Sequence, residues 1–196
     1  MANLIAISGK IGAGKDTVAY ILNALKRGDT QDEIFRTIRS GNYLPLTEPY
    51  EIRKFASGVK KIAAELEGVS PLLYESQDFK RQRSEASPHL TNREFLMVLG
   101  EGLRNLLGED IWVNYTFNGY TPDSHWIITD LRYKNEAEKV LSHKGTLIRI
   151  NADQRTFPTS KHKSEIDLDD FTNFSFTLTN NKGLKHLISQ VAALPL

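Results

Sequence analysis

Short apolar runs alternate along the chain with segments whose apolar residues recur every three or four positions. The runs consist mainly of branched and aromatic residues, which is typical of strands buried on both faces of a parallel sheet. The predicted strands are Leu4–Ile7, Ile52–Phe55, Trp126–Asp130, Thr146–Ile150 and Phe174–Leu178.

The segments with a period near 3.6 predict helices between these strands. The first begins at Lys15 and ends near Gly28. Another follows Thr91-Asn92-Arg93-Glu94, a capping box in which the threonine and glutamate side chains satisfy early backbone N–H groups. The predicted apolar stripes are Val18, Ile21, Leu22 and Leu25; Phe55, Val59, Ile62, Ala63 and Leu66; and Phe95, Leu96, Leu99, Leu103 and Leu106. Further helices are predicted around Ile34–Ile38 and over Ile111–Phe117, Asn135–Leu141 and Gly183–Ala193.

Three polar stretches separate these elements. Residues 28–50 are interpreted as irregular apart from one short helix, residues 68–90 as an exposed excursion, and residues 152–173 as a loop. Strands that alternate with helices imply a parallel sheet covered on both faces. The pattern therefore predicts a three-layer α/β fold with a roughly five-stranded parallel sheet.

Composition narrows the function classes. The 196 residues include 25 Lys and Arg against 24 Asp and Glu, so a net charge of +1 gives no support for a nucleic-acid or membrane partner. The absence of cysteine excludes a disulfide scaffold, a thiolate zinc site and a cysteine nucleophile. No signal peptide and no bilayer-spanning apolar segment is evident. We therefore expect a cytoplasmic protein in which any anion site is local.

The strongest chemical signal is the segment from Gly9 to Thr17, Gly-Lys-Ile-Gly-Ala-Gly-Lys-Asp-Thr, which follows a strand and opens a helix. It is a G-x-x-x-x-G-K phosphate loop, in which glycines let backbone N–H groups converge on phosphate oxygens and the lysine contacts the β- and γ-phosphates. ATP is therefore the expected ligand. The residues predicted to bind it are Gly9, Lys10, Gly12, Ala13, Gly14, Lys15, Asp16 and Thr17.

Asp16 stands where this motif usually has serine or threonine, and Thr17 follows it. A carboxylate can ligate Mg²⁺ directly or through water, so both residues are candidate metal ligands. Alternatively, Asp16 only caps the helix, where an acid is favourable. A small kinase fits the chain best, because a motor would need more residues and no N/T-K-x-D motif of a switch GTPase is present.

A second candidate site follows the strand Trp126–Asp130. The carboxyl edge of an open parallel sheet faces the ligand crevice, so Asp130 can hold a Mg²⁺-bound water and Arg132 can bind a phosphate bidentately. The alternative is that Asp130 caps the helix that begins near Asn135.

Transfer between two nucleotides requires cations more than a base, because a phosphate acceptor is already ionised. Candidate cations outside the loop are Lys60, Arg93, Arg104, Arg132 and Arg155. Arg93 and Arg104 lie eleven residues apart, about three turns, and share a helix face. Each could equally be a solvated helix residue, with Glu101 as the ion-pair partner of Arg104. Residues 153–165 suit either a mobile lid or an ordinary surface loop.

Several motifs occur in one order along nearly the whole chain. They are the Gly-Lys-Asp-Thr ending of the phosphate loop, Phe55-Ala56 with Lys60, Thr91-x-Arg93-Glu94-x-Leu96 with Leu99-Gly100 and Arg104, Trp112-Val113, the stretch Ile128 to Ala137, and His162-x-Ser164-Glu165. The most specific is Thr-Asp-x-Arg-aromatic-x-Asn-Glu-Ala, which begins at Thr129. In these motifs the chain resembles the phage-type deoxynucleoside monophosphate kinases.

The resemblance implies a single P-loop kinase domain over 1–196, with a substrate-binding helical insertion at about 56–118 and a lid at about 152–166. It implies phosphoryl transfer from Mg²⁺-ATP to a deoxynucleoside monophosphate in the cytoplasm, that of the host if the chain is phage-encoded. A homodimer is implied in the same way. The implied roles are catalysis by Lys15, Asp130 and Arg132; metal binding by Asp16, Thr17 and Asp130; monophosphate binding by Lys60, Arg93, Glu101, Arg104 and Arg132; and ATP binding by Arg155.

Two alternatives remain open. The acceptor could be dephospho-coenzyme A or phosphomevalonate, because the phosphate loop is common to kinases of all these substrates. The other alternative is a non-catalytic nucleotide-binding module, whose mark would be tight ATP binding without acceptor-dependent release of ADP.

Overall fold

The computed structural model describes residues 3–41, 49–152 and 163–196, and the chain divides into two compact units. Unit 1 comprises Met1–Arg53 and Tyr120–Leu196, and unit 2 comprises Lys54–Gly119. The range of about 56–118 that the sequence assigns to a helical insertion falls within unit 2. Its role in substrate binding stays a prediction.

The elements of unit 1 alternate between strands and helices. They are β1 (Leu4–Ser8), α1 (Lys15–Arg27), α2 (Gln31–Ser40) and β2 (Glu51–Arg53). In unit 2 follow α3 (Ser57–Glu67), a 3₁₀ helix (Pro71–Glu75), α4 (Gln77–Arg81), α5 (Asn92–Leu107) and α6 (Ile111–Phe117). Unit 1 then resumes with β3 (Trp126–Leu131), α7 (Lys134–Ser142), β4 (Thr146–Asn151), α8 (Lys163–Ile166), β5 (Phe176–Thr179) and α9 (Leu184–Ala192). Within the described ranges, no helix is both long and apolar enough to cross a membrane.

The strands of unit 1 form one parallel sheet in the order β2-β3-β1-β4-β5. β1 lies at the centre, and all five of its residues are buried. It pairs with β3 through Leu4 opposite Trp126 and with β4 through Ile5 opposite Thr146. Because the strands are parallel, the phosphate loop after β1 lies at the same sheet edge as the carboxyl ends of β3 and β4.

Helices cover both faces of this sheet. α1 and α9 pack on one face, where Ile5 and Ile7 of β1 meet Val18 and Leu187, and α7 packs against β1 and β4. Alternate residues of a strand point to opposite faces, which is why a strand covered on both sides has no polar positions in its middle. The predicted α/β fold with a five-stranded parallel sheet is confirmed, and it is consistent with a P-loop kinase fold.

Two loop predictions in unit 1 were incomplete. The segment 28–50 contains the ten-residue helix α2, longer than the short helix predicted, because Thr30 and Glu33 form a capping box at its start. The segment 152–173 contains the short helix α8. The other helices and strands of unit 1 agree with the predicted ones to within a few residues.

Unit 2 packs around a small cluster in which Ala63, Ala64 and Tyr74 are buried. The prediction of an exposed excursion over 68–90 was wrong only in part: most of its residues are exposed, but Tyr74 is 0% exposed and Ser84 is 1% exposed. Tyr74 donates a hydrogen bond to Glu67 at 3.0 Å, and its ring meets the edge of Phe79 at 5.2 Å. These contacts join the segment to α3, which local composition cannot indicate.

Two predicted apolar stripes in unit 2 were also wrong in part. On α3 the buried positions are Gly58, Val59, Lys60, Ala63 and Ala64, whereas Ile62 and Leu66 are exposed. On α5 the predicted stripe ends at Leu106, which is 78% exposed. The cluster formed by α3 and the 3₁₀ helix meets only the first half of α5, through Phe95, Leu96 and Leu99.

Candidate active site

The phosphate loop turns sharply where it enters α1. Gly14, the N-terminal cap of α1, has a φ of 101°, a backbone conformation that a residue with a Cβ adopts only at a cost. A Cβ at this position would lie 2.7 Å from Nδ2 of Asn180. That amide nitrogen donates to the carbonyl oxygen of Ala13 at 2.9 Å. Asn180, which follows β5, therefore holds the turn in place and leaves no room for a side chain at Gly14.

Lys15, the first residue of α1, folds back over the loop. Its Nζ donates to the carbonyl oxygens of Gly9 at 2.7 Å and Lys10 at 3.1 Å. Burial and then the nearby Arg132 guanidinium lower the pKa of Lys15 to about 8, although acidic neighbours oppose the shift. The opposing acids are Glu165, Asp16 and Asp130. An anion bound at the loop would raise the pKa of Lys15 and favour its charged ammonium.

The end of β3 brings Asp130 and Arg132 to the same edge of the sheet. Both act electrostatically on Lys15, so three residues predicted to be catalytic lie near one another. The Arg132 guanidinium forms an ion pair with the carboxylate of Glu165. The backbone N–H of Arg132 donates to the buried carboxylate of Glu136 at 2.8 Å, which fixes the turn between β3 and α7. α7 begins at Lys134, one residue before the helix predicted over Asn135–Leu141.

A second set of ion pairs joins the segment after α8 to the phosphate loop. Lys10 donates to the Asp169 carboxylate at 2.6 and 2.8 Å and also to the carbonyl oxygen of Glu165. Arg149 of β4 donates to Asp169 at 3.2 Å and to the hydroxyl of Ser8 at 3.0 Å. Glu165 and Asp169 thus neutralise cations at the sheet edge where phosphates are expected to bind.

The residues predicted to hold Mg²⁺ offer oxygen atoms, which is the chemistry that this ion prefers. Asp16 is exposed and Thr17 half-buried in the first turn of α1, and Asp130 is half-buried at the end of β3. Across the described ranges, no three His, Cys, Asp or Glu side chains form a cluster that could hold a metal ion. A few protein oxygens still fit Mg²⁺, because it is usually held by one or two carboxylates, waters and the substrate phosphates.

In unit 2, two of the predicted substrate-binding residues lie near other polar groups. Lys60, only 8% exposed, forms an ion pair with Glu75 at 2.6 Å, and Lys54 pairs with the other oxygen of that carboxylate at 2.9 Å. Arg93 donates to the side-chain oxygen of Gln77 at 2.6 Å. Both Lys60 and Arg93 act electrostatically on Lys80, so the fold brings these cations together.

The other two predicted substrate-binding residues lie toward the opposite end of α5. Arg104 donates to the carbonyl oxygen of Glu109 at 2.8 Å, and Glu101 is exposed. Eleven residues separate Arg93 from Arg104, which is about 16 Å along a helix axis. The implied binding of the monophosphate by Arg93, Glu101 and Arg104 stays a prediction.

Arg155 and residues 153–162 of the predicted lid lie outside the described residues. Of the predicted lid, Lys163–Ile166 forms α8.

Sequence reasoning did not single out several polar residues of these sites. In unit 1 they are Asn180, Arg149 and Asp169, and in unit 2 they are Lys54, Glu75 and Lys80. Glu165 belongs to the motif His162-x-Ser164-Glu165, which by itself predicts no contact with Arg132. Arg149 carried a signal, because a charged residue interrupts the apolar strand Thr146–Ile150. The others stand in polar segments where nothing local distinguishes them.

A phosphate loop at the carboxyl edge of a parallel sheet, with an aspartate and an arginine beside its lysine, defines a candidate nucleotide-binding site. No known protein family model matches this chain. The chain is 25% identical over 204 residues to a protein of Acanthamoeba polyphaga mimivirus that bears the name "Putative deoxynucleotide monophosphate kinase". The match covers 96% of this chain and 93% of the mimivirus protein.

Proposed function

We propose that this protein is a kinase that transfers the γ-phosphoryl group of Mg²⁺-ATP to a deoxynucleoside monophosphate, giving ADP and a deoxynucleoside diphosphate. The observation that carries the proposal is the convergence of Lys15, Asp130 and Arg132 beside a phosphate loop in unit 1. The mimivirus similarity over almost the full chain supports nucleotide kinase activity. The phage-type family and the deoxynucleotide substrate are part of the proposal.

ATP binds through its phosphates at the loop before α1. Backbone N–H groups of the loop and the partial positive charge of the helix N-terminus stabilise the β- and γ-phosphate oxygens. Lys15 exchanges its hydrogen bonds to the carbonyl oxygens of Gly9 and Lys10 for bonds to phosphate. Because the bound phosphate is anionic, it raises the pKa of Lys15 and keeps the ammonium charged during transfer.

Asp16, Thr17 and Asp130 are the residues that would hold Mg²⁺, through a carboxylate, a hydroxyl or a bridging water. When bound, the ion neutralises charge on the β- and γ-phosphate oxygens.

Arg132 stabilises the charge that develops on the transferred group. An oxygen of the acceptor phosphate forms a bond to the γ-phosphorus, and the bond from that phosphorus to the oxygen bridging to the β-phosphate breaks, leaving ADP. The planar guanidinium can donate two hydrogen bonds to the equatorial oxygens. Arg132 must leave Glu165 to do so, and the ion pair between them keeps it at the sheet edge beforehand.

The acceptor monophosphate binds through cations of unit 2, with Lys60 and Arg93 as the first candidates. No general base is required, because the acceptor phosphate is already ionised at neutral pH. The acceptor therefore needs positive charge to offset the repulsion between the two nucleotides. Glu101 and Arg104 remain proposed contacts of the acceptor, Arg155 remains a proposed contact of ATP, and a homodimer remains a proposal.

The test is ADP formation from Mg²⁺-ATP with each of the deoxy- and ribonucleoside monophosphates, and with dephospho-coenzyme A and phosphomevalonate as competing acceptors. Lys15→Ala is the inactive variant. Lys185→Ala is its matched control, because this exposed lysine of α9 lies over the Phe35 ring, outside the candidate site. We expect turnover that requires a deoxynucleoside monophosphate, is lost in Lys15→Ala and is kept in Lys185→Ala.

Two results would contradict the proposal. Turnover only with dephospho-coenzyme A or phosphomevalonate would change the acceptor, and tight ATP binding without any acceptor-dependent ADP would indicate a binding module.

A further inference from the structure

Glu75, at the end of the 3₁₀ helix of unit 2, is held by two lysines at once. One carboxylate oxygen pairs with Lys60 at 2.6 Å and the other with Lys54 at 2.9 Å. Burial opposes ionisation of this carboxyl, but the hydrogen bonds from Lys60 and Lys54 outweigh it and hold the pKa of Glu75 at about 2. The carboxylate is therefore charged throughout the physiological range of pH.

A third lysine, Lys80, lies close to Lys54 and Lys60. Burial lowers the pKa of Lys80 to about 8, and the positive charges of Lys60, Arg93 and Lys54 contribute to the shift, which Glu75 opposes. Among the residues described, none forms a hydrogen bond or an ion pair with the Nζ of Lys80. Lys80 is half-buried.

Cations predominate among the groups that act on Lys80. They are Lys54, Lys60 and Arg93, and the carboxylate that opposes them is Glu75, which pairs with two of them. Arg93 donates to the neutral amide of Gln77 and not to an acid. The acid next to Gln77, Asp78, is exposed and pairs with Arg81.

An ion pair that only stabilised the fold would need one lysine for one glutamate. Additional lysines near the same carboxylate are unfavourable, because like charges in a partly buried cluster repel one another. A phosphate monoester carries nearly two negative charges at pH 7 and three acceptor oxygens, against one charge and two oxygens for a carboxylate. Such a group would neutralise the cluster better than Glu75 does.

We infer that Lys54, Lys60 and Lys80 form the binding site for the phosphate of the acceptor, and that Glu75 competes with that phosphate for the same lysines. This inference rests on the proposed function for the identity of the acceptor. It adds Lys54 and Lys80 to the acceptor site and gives Glu75 an opposing role. A singly charged ligand gains little by displacing Glu75, so the competition favours doubly charged phosphates over carboxylates and other monoanions.

The first measurement is calorimetric titration of the full chain with dAMP, dGMP, dCMP and dTMP, each compared with its nucleoside. We expect Lys80→Gln to weaken binding of the preferred monophosphate about tenfold, the effect of one charge-assisted hydrogen bond. Lys61→Gln is the matched control, because Lys61 is the exposed neighbour of Lys60 on α3 and lies over the Tyr115 ring. It should leave the affinity unchanged within about twofold.

The second measurement tests the competition. Glu75→Gln keeps the shape of the side chain and removes its charge, so monophosphate affinity should rise about fivefold or more as the lysines are freed. Glu75→Asp keeps the charge but shortens its reach, and it should raise affinity in the same direction if Glu75→Gln does not fold. Circular dichroism verifies folding of each variant.

Unchanged or weaker binding in both Glu75 variants, or unchanged binding in Lys80→Gln, would overturn the inference. The turnover assay separates this failure from failure of the proposed function. If no monophosphate stimulates ADP formation but the affinities follow the expected order, the kinase proposal fails and the phosphate site stands. If turnover requires a monophosphate but its KM is the same in Lys80→Gln, the kinase stands and the site lies elsewhere.

Discussion

Gly14→Ala tests the account of the phosphate loop most specifically. The substitution adds a Cβ to a residue with a φ of 101° and brings it 2.7 Å from Nδ2 of Asn180. The backbone conformation alone costs an L-residue about 1–2 kcal/mol. Asn180 can move away only by giving up its bond to the Ala13 carbonyl, which contributes about 0.5–1.5 kcal/mol. We therefore expect a loss of about 2–3 kcal/mol.

Gly28→Ala is the matched control for this substitution. Gly28 ends α1 with a φ of 98°, but nothing lies within 4 Å of the position its Cβ would take. It should therefore lose only the conformational part, about 1–2 kcal/mol. The difference between the two variants measures the contact with Asn180.

Urea unfolding of both variants, followed by circular dichroism, gives the two losses in the free energy of unfolding. Calorimetric titration with Mg²⁺-ATP gives the functional effect. Gly14→Ala should weaken ATP binding at least tenfold, whereas Gly28→Ala should bind ATP as the unmodified protein does. In the double variant with Asn180→Ala, the added loss should be smaller than the sum of the single losses, because both changes remove the same contact.

Two results would contradict this role of Asn180: equal losses of stability in Gly14→Ala and Gly28→Ala, or unchanged ATP affinity in Gly14→Ala. Either result would mean that the turn into α1 accommodates a side chain and that Asn180 does not constrain the loop.

Two further predictions concern the lysine of the loop and the core of unit 2. Because the pKa of Lys15 is about 8 in the folded protein, its ammonium is lost as the pH rises through 8. ATP affinity measured by calorimetry should then fall about tenfold from pH 7 to pH 9, and Lys15→Met should abolish that dependence; a flat profile in the unmodified protein would contradict this. Tyr74→Phe removes the hydrogen bond to Glu67 from a fully buried residue and should cost about 1–2 kcal/mol in urea unfolding followed by tryptophan fluorescence. The same change at the exposed Tyr115 should have little effect, and equal effects would show that Tyr74 is not part of a core.

The sheet of unit 1 was predictable from the sequence because its signal is local. Leu4 to Ile7 and Trp126 to Ile128 are continuous apolar runs, and a strand covered on both faces requires that pattern. The phosphate loop was predictable for the same reason, since its glycines, its lysine and its neighbouring strand and helix are consecutive. The order of the strands depends on long-range pairing and was not predicted.

Unit 2 was less predictable because its burial depends on contacts between segments. Tyr74 lies in a segment that is mostly exposed, yet it is fully buried through contacts with Glu67 and Phe79. Leu106 continues an apolar stripe, yet it is exposed, because periodicity shows which residues share a face and not how far a partner extends along it.

The ion pairs of the two sites escaped sequence reasoning in the same way. Arg132 and Glu165 lie 33 residues apart, and Lys60 and Glu75 lie 15 apart. Charged residues are common in polar segments, so no local pattern pairs them in advance. Only the fold brings the acids of 163–170 to the cations of the loop, and Glu75 to the lysines of unit 2.

The most direct measurement follows the phosphoryl group itself. The protein is incubated with Mg²⁺ and ATP labelled in its γ-phosphate, together with the monophosphate that best stimulates ADP formation, and the products are separated. The proposed function predicts that the label appears in the terminal phosphate of a deoxynucleoside diphosphate, in an amount equal to the ADP formed, and that Lys15→Ala gives none. Label found only in inorganic phosphate, or remaining in ATP with every acceptor, would contradict it.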